Sequence, residues 1–325
     1  MTEGIKRVLI VDALNAYLRA YIVDPSLSSN GQPIGGIKGS FKILQKLVRL
    51  SKPDSVVVVW DSPNGSRKRK SLDKNYKAGR KPLRLNRAFH NLTDDEELQN
   101  KIWQQSRLIE YLNEMPIIQS YVENVEADDI IALVSQSQAL SEYHKIILSS
   151  DKDFIQLCDN STILYRPIQK EILNKKRILE QFEIHPTNFA LARAIAGDKS
   201  DNLPGIGGAG LPTVSKRFPF LSEEKSYTIQ ELVEYAEGID SKLKVYKNII
   251  EKRELIEKNY KMMQLYAPNI SAQSAQYIRR MLNNPEFNFN KSGVRAMMIE
   301  DGFGVYDWND LFTLFKRISV ESKGG

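Results

Sequence analysis

A single cysteine, Cys158, stands among 325 residues, so no disulfide can form within the chain, which agrees with a reducing compartment. Set in Phe154-Ile155-Gln156-Leu157-Cys158, it reads as a small buried apolar residue rather than a reactive thiol. Histidine is almost as scarce. His90, His144 and His185 lie outside every motif, which leaves neither an imidazole metal cage nor a histidine base to argue for. No apolar run approaches the roughly 20 residues of a membrane span. Met1-Thr2-Glu3-Gly4 leads into a strand pattern rather than a signal peptide. The expectation is a cytoplasmic protein with no membrane association. What is present is enough apolar residue, 42 %, for a sizeable core, and a length that suggests about two domains.

Acidic residues carry the strongest pattern. Val8-Leu9-Ile10-Val11 ends in Asp12, Val56-Val57-Val58-Val59-Trp60 in Asp61, and Ile146-Ile147-Leu148 runs through two serines to Asp151. Such β-branched runs read as strands buried on both faces of a parallel sheet, whose C-terminal ends form the rim where open α/β sheets place ligands. Glu126, Asp128 and Asp129 open an apolar helix, while Asp153, Asp198 and Asp201 follow further on. Acids in a first turn suit the helix dipole, but three in four residues exceed what one helix end requires. Nine carboxylates on one rim would disfavour each other's ionised form unless cations intervened. An all-oxygen donor set favours Mg2+, with Mn2+ as a substitute. The formal net charge is nevertheless +6, with 46 Lys and Arg against 40 Asp and Glu. A basic body around an acidic pocket suits a polyanion held over metal ions.

The chain alternates strand and helix over 1–180, the pattern of an α/β domain with a central, mostly parallel sheet. Thr93-Asp94-Asp95-Glu96 is a capping box, and Leu98, Ile102, Leu108 and Leu112 then recur at helical spacing on a face expected to pack on the sheet. Residues 181–325 read as a second, helical domain, with a further capping box at Thr228-Ile229-Gln230-Glu231. The late aromatics Phe303, Tyr306, Trp308, Phe312 and Phe315 read as core.

Two segments look made for phosphates. Between 62 and 92, Arg67, Lys68, Arg69, Lys70, Lys74, Lys77, Arg80, Lys81, Arg84 and Arg87 face one acid, Asp73. Charge this dense, directly after Asp61, predicts a mobile loop or loosely helical arch that orders on nucleic acid. Two readings of Tyr76 stay open, stacking on a base or packing beneath the arch. Gly205-Ile206-Gly207-Gly208-Ala209-Gly210 satisfies a dinucleotide-binding pattern, but no buried strand precedes it, Pro212 follows where a first helical turn would be, and no Walker sequence is present. The better reading, over 202–217, is two short helices joined by a glycine hairpin whose N–H groups grip phosphates, with Gly205, Gly207, Gly208, Gly210 and Lys216 as contacts.

Taken together, Val11-Asp12, the strand ending in Asp61, Tyr76-Lys77-Ala78-Gly79-Arg80, Glu126-Ala127-Asp128-Asp129, Ser150-Asp151-Lys152-Asp153 and the 197–205 stretch resemble the structure-specific 5'-nucleases. The flap endonucleases and 5'-3' exonucleases form this superfamily, and the size and helical half look most like a tailed-phage ribonuclease H within it. The resemblance implies a PIN-like or resolvase-like core with a helical arch and a helix-three-turn-helix. It implies one metal ion near Asp12, Asp61, Glu126, Asp128 and Asp129, and a second near Asp151, Asp153, Asp198 and Asp201, some contacts running through water. It further implies Lys77 and Arg80 at the scissile phosphate, with Arg67, Lys68, Arg69, Lys70, Tyr76 and Lys81 on nucleic acid. The substrates would be DNA with 5' flaps, nicks or RNA primers, cut by a monomer. A sliding clamp and a single-stranded DNA-binding protein are the expected partners, with K+ at the hairpin. Ala209 and Pro212 depart from the family's usual hairpin, where isoleucine and lysine stand. The competing readings are a PIN-like single-strand ribonuclease and a catalytically silent DNA-binding accessory.

Overall fold

The computed structural model describes residues 5–79, 92–241 and 243–321. Lys6–Asp12 (β1), Ser55–Val59 (β2), Ile118–Ser120 (β3), Tyr143–Leu148 (β4), Thr162–Arg166 (β5) and Glu171–Leu173 (β6) form one sheet in the order β3-β2-β1-β4-β5-β6. Five strands run parallel, and β6 returns antiparallel against β5. The register sets Asp12 beside Val59, and Val11 beside Leu148. The chain leaves β1, β2 and β4 at one rim, and their acids follow within three residues.

Because strand side chains alternate, β1 divides its apolar residues between two cores. Leu9 and Val11 face the helices Ala13–Val23 (α1) and Gly35–Ser51 (α2), while Val8 and Ile10 face the opposite layer. The short Arg67–Leu72 (α3) follows β2. Asp94–Asn113 (α4) starts at the expected capping box and crosses α2, where the Gln104 side chain accepts from the Ile37 N–H at 3.2 Å. That crossing corrects the expected face of α4: Leu108 and Leu112 are buried with Tyr111, but Leu98 and Ile102 are exposed.

The opposite layer holds Ala127–Ser135 (α5), Lys175–Phe182 (α6), Pro186–Ala196 (α7), Leu211–Arg217 (α8), Ile229–Gly238 (α9), Lys244–Glu251 (α10), Arg253–Met263 (α11) and Ala272–Asn283 (α12). The second capping box, Thr228 with Glu231, opens α9. One apolar cluster runs from Val8 and Ile10 through Ile130, Phe189, Val214, Leu232 and Ile256 to Ile278. The boundary expected at 180/181 therefore does not separate two cores. The last helices, Lys291–Glu300 (α13) and Trp308–Glu321 (α14), return to the first face, where Val294, Met298, Phe303, Leu311 and Phe315 pack with Leu9, Phe41 and Val58. Two of the late aromatics are fully enclosed, Phe303 and Phe315, and Tyr306, Trp308 and Phe312 lie against them, partly buried. Each fully buried aromatic contributes about 2 to 3 kcal/mol of burial free energy. Among the described residues no helix is long and apolar enough to cross a membrane. Cys158 is buried, and burial pushes its thiol pKa up to about 12, which makes it inert.

Candidate active site

Each strand-end acid is held by hydrogen bonds from its own turn or from a neighbouring element. Asp12 caps α1, accepting from the Asn15 N–H at 3.1 Å, while its other oxygen accepts from the Ser149 hydroxyl at 2.7 Å. Asp61 accepts from the N–H of Ala127, the first residue of α5, at 2.9 Å. That contact fixes β2's end to the helix carrying Asp128 in its first turn. Asp151 donates its N–H to Ser149 Oγ at 3.1 Å and accepts from the Asp153 N–H at 2.8 Å. Asp12, Asp61, Asp128 and Asp151 together line a cavity of ≈ 430 Å³, shared with Lys77 and Arg19. Its other wall is apolar: Leu14, Leu18 and Ile22 from one face of α1, and Ile168 from the turn after β5.

Crowded carboxylates out of water resist ionisation. Burial, then the Asp61 charge, push the Asp12 carboxyl up to about 7. Burial also raises Asp61, against the Ala127 hydrogen bond and the Lys77 charge. Asp128 is raised well above the carboxylate range by burial and by Asp151, Glu126 and Asp61, with Lys77 opposing. On Lys77 burial disfavours charge, but Asp128 and Glu126 outweigh it and keep the ammonium protonated.

The remaining five acids are placed differently. Glu126 is buried, with one oxygen on Lys77 Nζ at 2.6 Å and the other on Arg69, so that despite burial its carboxyl is held below the usual range. Asp129 turns away from the cavity, pairing with Arg69 at 3.0 Å and accepting from the Asn269 N–H at 2.8 Å. Asp153 and Asp198 share Arg193, whose Nε is 3.0 Å from Asp153 and whose Nη2 meets Asp198. Burial, then Asp151, still push Asp153 up to about 7. Asp201 sits half-buried on the turn that the Asp198–Leu203 bridge closes. Sequence reasoning missed Arg193, although a lone charge in the apolar run Phe189-Ala190-Leu191-Ala192-Arg193-Ala194-Ile195-Ala196 signals a buried ion pair. Ser149 and Asn15 carried no comparable signal.

The basic segment is corrected in two places. Arg69 is 7 % exposed and spends its guanidinium on Glu126, Asp129 and the Met262 carbonyl, so it is a buried counter-ion rather than a nucleic-acid contact. Tyr76 is 3 % exposed and packs with Leu203, Met262 and Met263, which leaves no face for a base. The start of the predicted arch is thus a docked helix, α3, tied to α11 also by Lys258 on Asp73 at 2.7 Å. Arg67, Lys68 and Lys70 lie exposed on it, whereas Arg80 and Lys81 lie outside the described residues.

In the glycine stretch, α7 precedes the turn and α8 follows, giving two helices and a hairpin. Pro212 lies within the first turn of α8, where its missing N–H costs nothing. It therefore gave no argument against a helix there. Gly205 is a packing residue, since a Cβ on it would stand 2.0 Å from the Ala196 carbonyl oxygen. Gly207, Gly208, Gly210 and Lys216 are exposed at the surface, and Ile206 and Ala209 anchor the turn inward.

Among the described residues no three His, Cys, Asp or Glu side chains converge as a ready metal cage. A hard, hydrated cation needs less, because Mg2+ keeps several waters and takes one or two carboxylates directly. Four all-oxygen donors on one cavity, three of them resisting ionisation through burial and neighbouring charge, fit such an ion. Its charge would reverse the conflict.

Fold and site together define an α/β protein with a carboxylate-lined rim at the C-terminal ends of its parallel strands and an attached helix–hairpin–helix. The chain belongs to the 5'-3' exonuclease family: the model for its N-terminal resolvase-like domain matches residues 7–183. A 5'-3' exonuclease of Aquifex aeolicus is 29 % identical over 209 residues, 64 % of this chain and 67 % of the relative. The flap endonuclease Xni of Shewanella is 28 % identical over 260 residues, covering 80 % and 90 %. A match to DNA polymerase I of Caldicellulosiruptor bescii, 28 % over 245 residues, takes in 73 % of this chain but 26 % of that protein. A zinc-bound bacteriophage T5 5'-exonuclease shares the fold with a TM-score of 0.67 at 16 % identity, over 85 % of this chain and 98 % of that one. The T5 flap endonuclease in a complex with DNA and metal ions gives 0.63 at 15 %, over 98 % and 100 %.

Proposed function

We propose that this protein is a divalent-metal-dependent 5'-3' exonuclease and flap endonuclease. It would hydrolyse phosphodiesters near the 5' ends of DNA and RNA/DNA strands and remove RNA primers and flaps during phage DNA replication in the host cytoplasm. The observation that carries this reading is the cavity where Asp12, Asp61, Asp128 and Asp151 meet Lys77 at the sheet's C-terminal rim. Two Mg2+ ions, replaceable by Mn2+, would supply the Lewis acidity that activates water and offsets charge on the attacking and leaving oxygens. Asp12, Asp61 and Asp128 would hold the first, and Asp151 with Asp153, Asp198 and Asp201 the second, which shares its surroundings with Arg193.

The side chains supply orientation and charge. Ser149 and Asn15 fix the Asp12 carboxylate, and Ala127 fixes Asp61, so the donors are set before substrate arrives. Lys77, kept protonated, presents its ammonium to the non-bridging oxygens of the scissile phosphate, with Arg80 as its expected companion. The apolar wall of Leu14, Leu18, Ile22 and Ile168 excludes water beside the reacting bond. Gly207, Gly208, Gly210 and Lys216 would grip duplex phosphates, with K+ at the same hairpin, and Arg67, Lys68 and Lys70 the strand entering above. The working form in this reading is a monomer, assisted by a sliding clamp and a single-stranded DNA-binding protein.

The test is cleavage of 5'-flap, nicked and RNA-primed duplexes with Mg2+ and with chelator, mapping the product ends. Metal-dependent release of short 5' products is expected. Tight junction binding without cleavage under any metal would overturn the reading in favour of a silent accessory.

A further inference from the structure

Lys77 reaches the carboxylate cavity from an unusual backbone. Its φ is +56°, the left-handed region, which a lysine adopts only where its surroundings insist. Those surroundings come from a segment more than a hundred residues away. The Lys77 N–H donates to the Asp201 carbonyl at 3.1 Å. The Asn202 side-chain amide donates to the carbonyls of Asn75, at 3.1 Å, and Ala78, at 2.5 Å, one on each side of Lys77. Beneath them Tyr76 packs on Leu203. Asn202 is itself left-handed, at φ +57°, a conformation asparagine tolerates better than most residues. The turn that carries it is closed by paired hydrogen bonds between Asp198 and Leu203, both 2.8 Å, and runs on into the glycine hairpin.

We propose that Asn202 is a positioning residue for Lys77. Its amide clasps the carbonyls flanking Lys77, enforces the left-handed backbone there, and so aims the ammonium at the cavity. With the clasp gone, 75–78 would relax toward ordinary φ, which rotates the Lys77 Cα–Cβ bond and withdraws Nζ from Glu126. The turn bearing Asn202 continues into the phosphate-gripping hairpin, so duplex capture and lysine placement form one mechanical unit. This inference rests on the nuclease role proposed above for Lys77.

The decisive variant is Asn202→Gly, which tolerates the left-handed backbone and removes only the amide. Losing two hydrogen bonds predicts a single-turnover cleavage rate down about tenfold, while duplex affinity stays within about twofold. Hydrogen exchange at the Lys77 amide should quicken in the same variant without substrate present. In the Lys77→Ala background, Asn202→Gly should cost nothing further in rate, since nothing is left to aim. A full additional loss in the double variant, or an unchanged rate in Asn202→Gly beside a slow Lys77→Ala, would overturn the clasp and leave the role of Lys77 standing. A Lys77→Ala protein that cleaves at the parent rate would instead remove Lys77 from the chemistry and this proposal with it, whatever amide exchange reports.

Discussion

Replacing Arg193 with methionine keeps most of the side-chain volume and deletes the charge between Asp153 and Asp198. The arginine side chain is 11 % exposed and both carboxylates 17 %, so water screens the pairs poorly. At the 3.0 Å separation from Asp153, an effective dielectric of about 20 gives an attraction of about 5 kcal/mol before desolvation is set against it. Removing one partner of a buried pair costs about 3 to 5 kcal/mol by precedent. The cost depends on pH. Asp153 has a folded pKa of about 7, raised from 3.8. A raised acid leaves stability intact below its unfolded pKa and erodes it as pH climbs through the folded value. Without Arg193 that pKa rises further, so at pH 5.5 Asp153 is neutral in parent and variant alike and losing the cation costs little, whereas at pH 8 the variant must bury an unpaired charge or take up a proton the parent does not carry. In chelator, differential scanning calorimetry should show the melting temperature down by about 5 °C or more at pH 8, and by clearly less at pH 5.5. Mg2+ should recover part of the loss at pH 8. A variant melting with the parent at pH 8, or losing equally at both pH values, would refute the counter-ion role.

Asp61→Ala and Asp151→Ala should abolish cleavage yet leave duplex affinity within about threefold, since both line the cavity and neither contacts the hairpin; binding lost in step with cleavage would contradict that placement. Tyr76→Ala should destabilise by about 3 to 5 kcal/mol in urea titration as a large-to-small core change, while Tyr76→Phe leaves DNA affinity unchanged. Gly205→Ala should lower the melting temperature, because its Cβ meets the Ala196 carbonyl oxygen at 2.0 Å, whereas Gly207→Ala, with nothing within 4 Å, should affect duplex binding alone. Asp12 and Asp153, both raised to about 7 from 3.8, lower the stability of the metal-free protein as pH rises from about 4 to 7. The melting-temperature gap between Mg2+-loaded and chelated protein should therefore widen over that window, and a constant gap would count against a metal ion at these carboxylates.

The rim was legible because parallel strands buried on both faces are written as unbroken apolar runs, so their ends point to Asp12, Asp61 and the Asp151 turn without any knowledge of the fold. Capping boxes were legible for the same reason: Thr93 with Glu96 and Thr228 with Glu231 are local devices. What periodicity could not show was pairing across distance. Arg69 looked like one more cation in a basic run, and only the approach of α5 and α11 makes it a buried counter-ion. Tyr76 became core through Leu203 and Met262, which lie far along the chain. The four cavity acids and the other five are chemically alike, and what sets Glu126, Asp129, Asp153 and Asp198 apart is the position of Arg69, Lys77 and Arg193. A domain boundary near 180 followed from the loss of strands, yet α13 and α14 return to the first face because α2 leaves an apolar surface there, Phe41 within it, to cover.

That return has a consequence for how the molecule comes into being. Leu9 and Phe315 share one apolar cluster, so the layer that α1 and α2 lay over β1 is completed by one of the last described helices. At translation rates of about 5 to 20 residues per second, β1 waits roughly 15 to 60 s after its synthesis for that partner. During the wait α2 lacks the cover of Phe303 and Phe315 over Phe41, an apolar surface that invites chaperones or mispairing. Closing so long a loop also slows folding in free solution, because the entropy of closure comes before the contacts that offset it. Refolding should accordingly show a late phase in which Trp308 fluorescence changes, after the parallel sheet has formed.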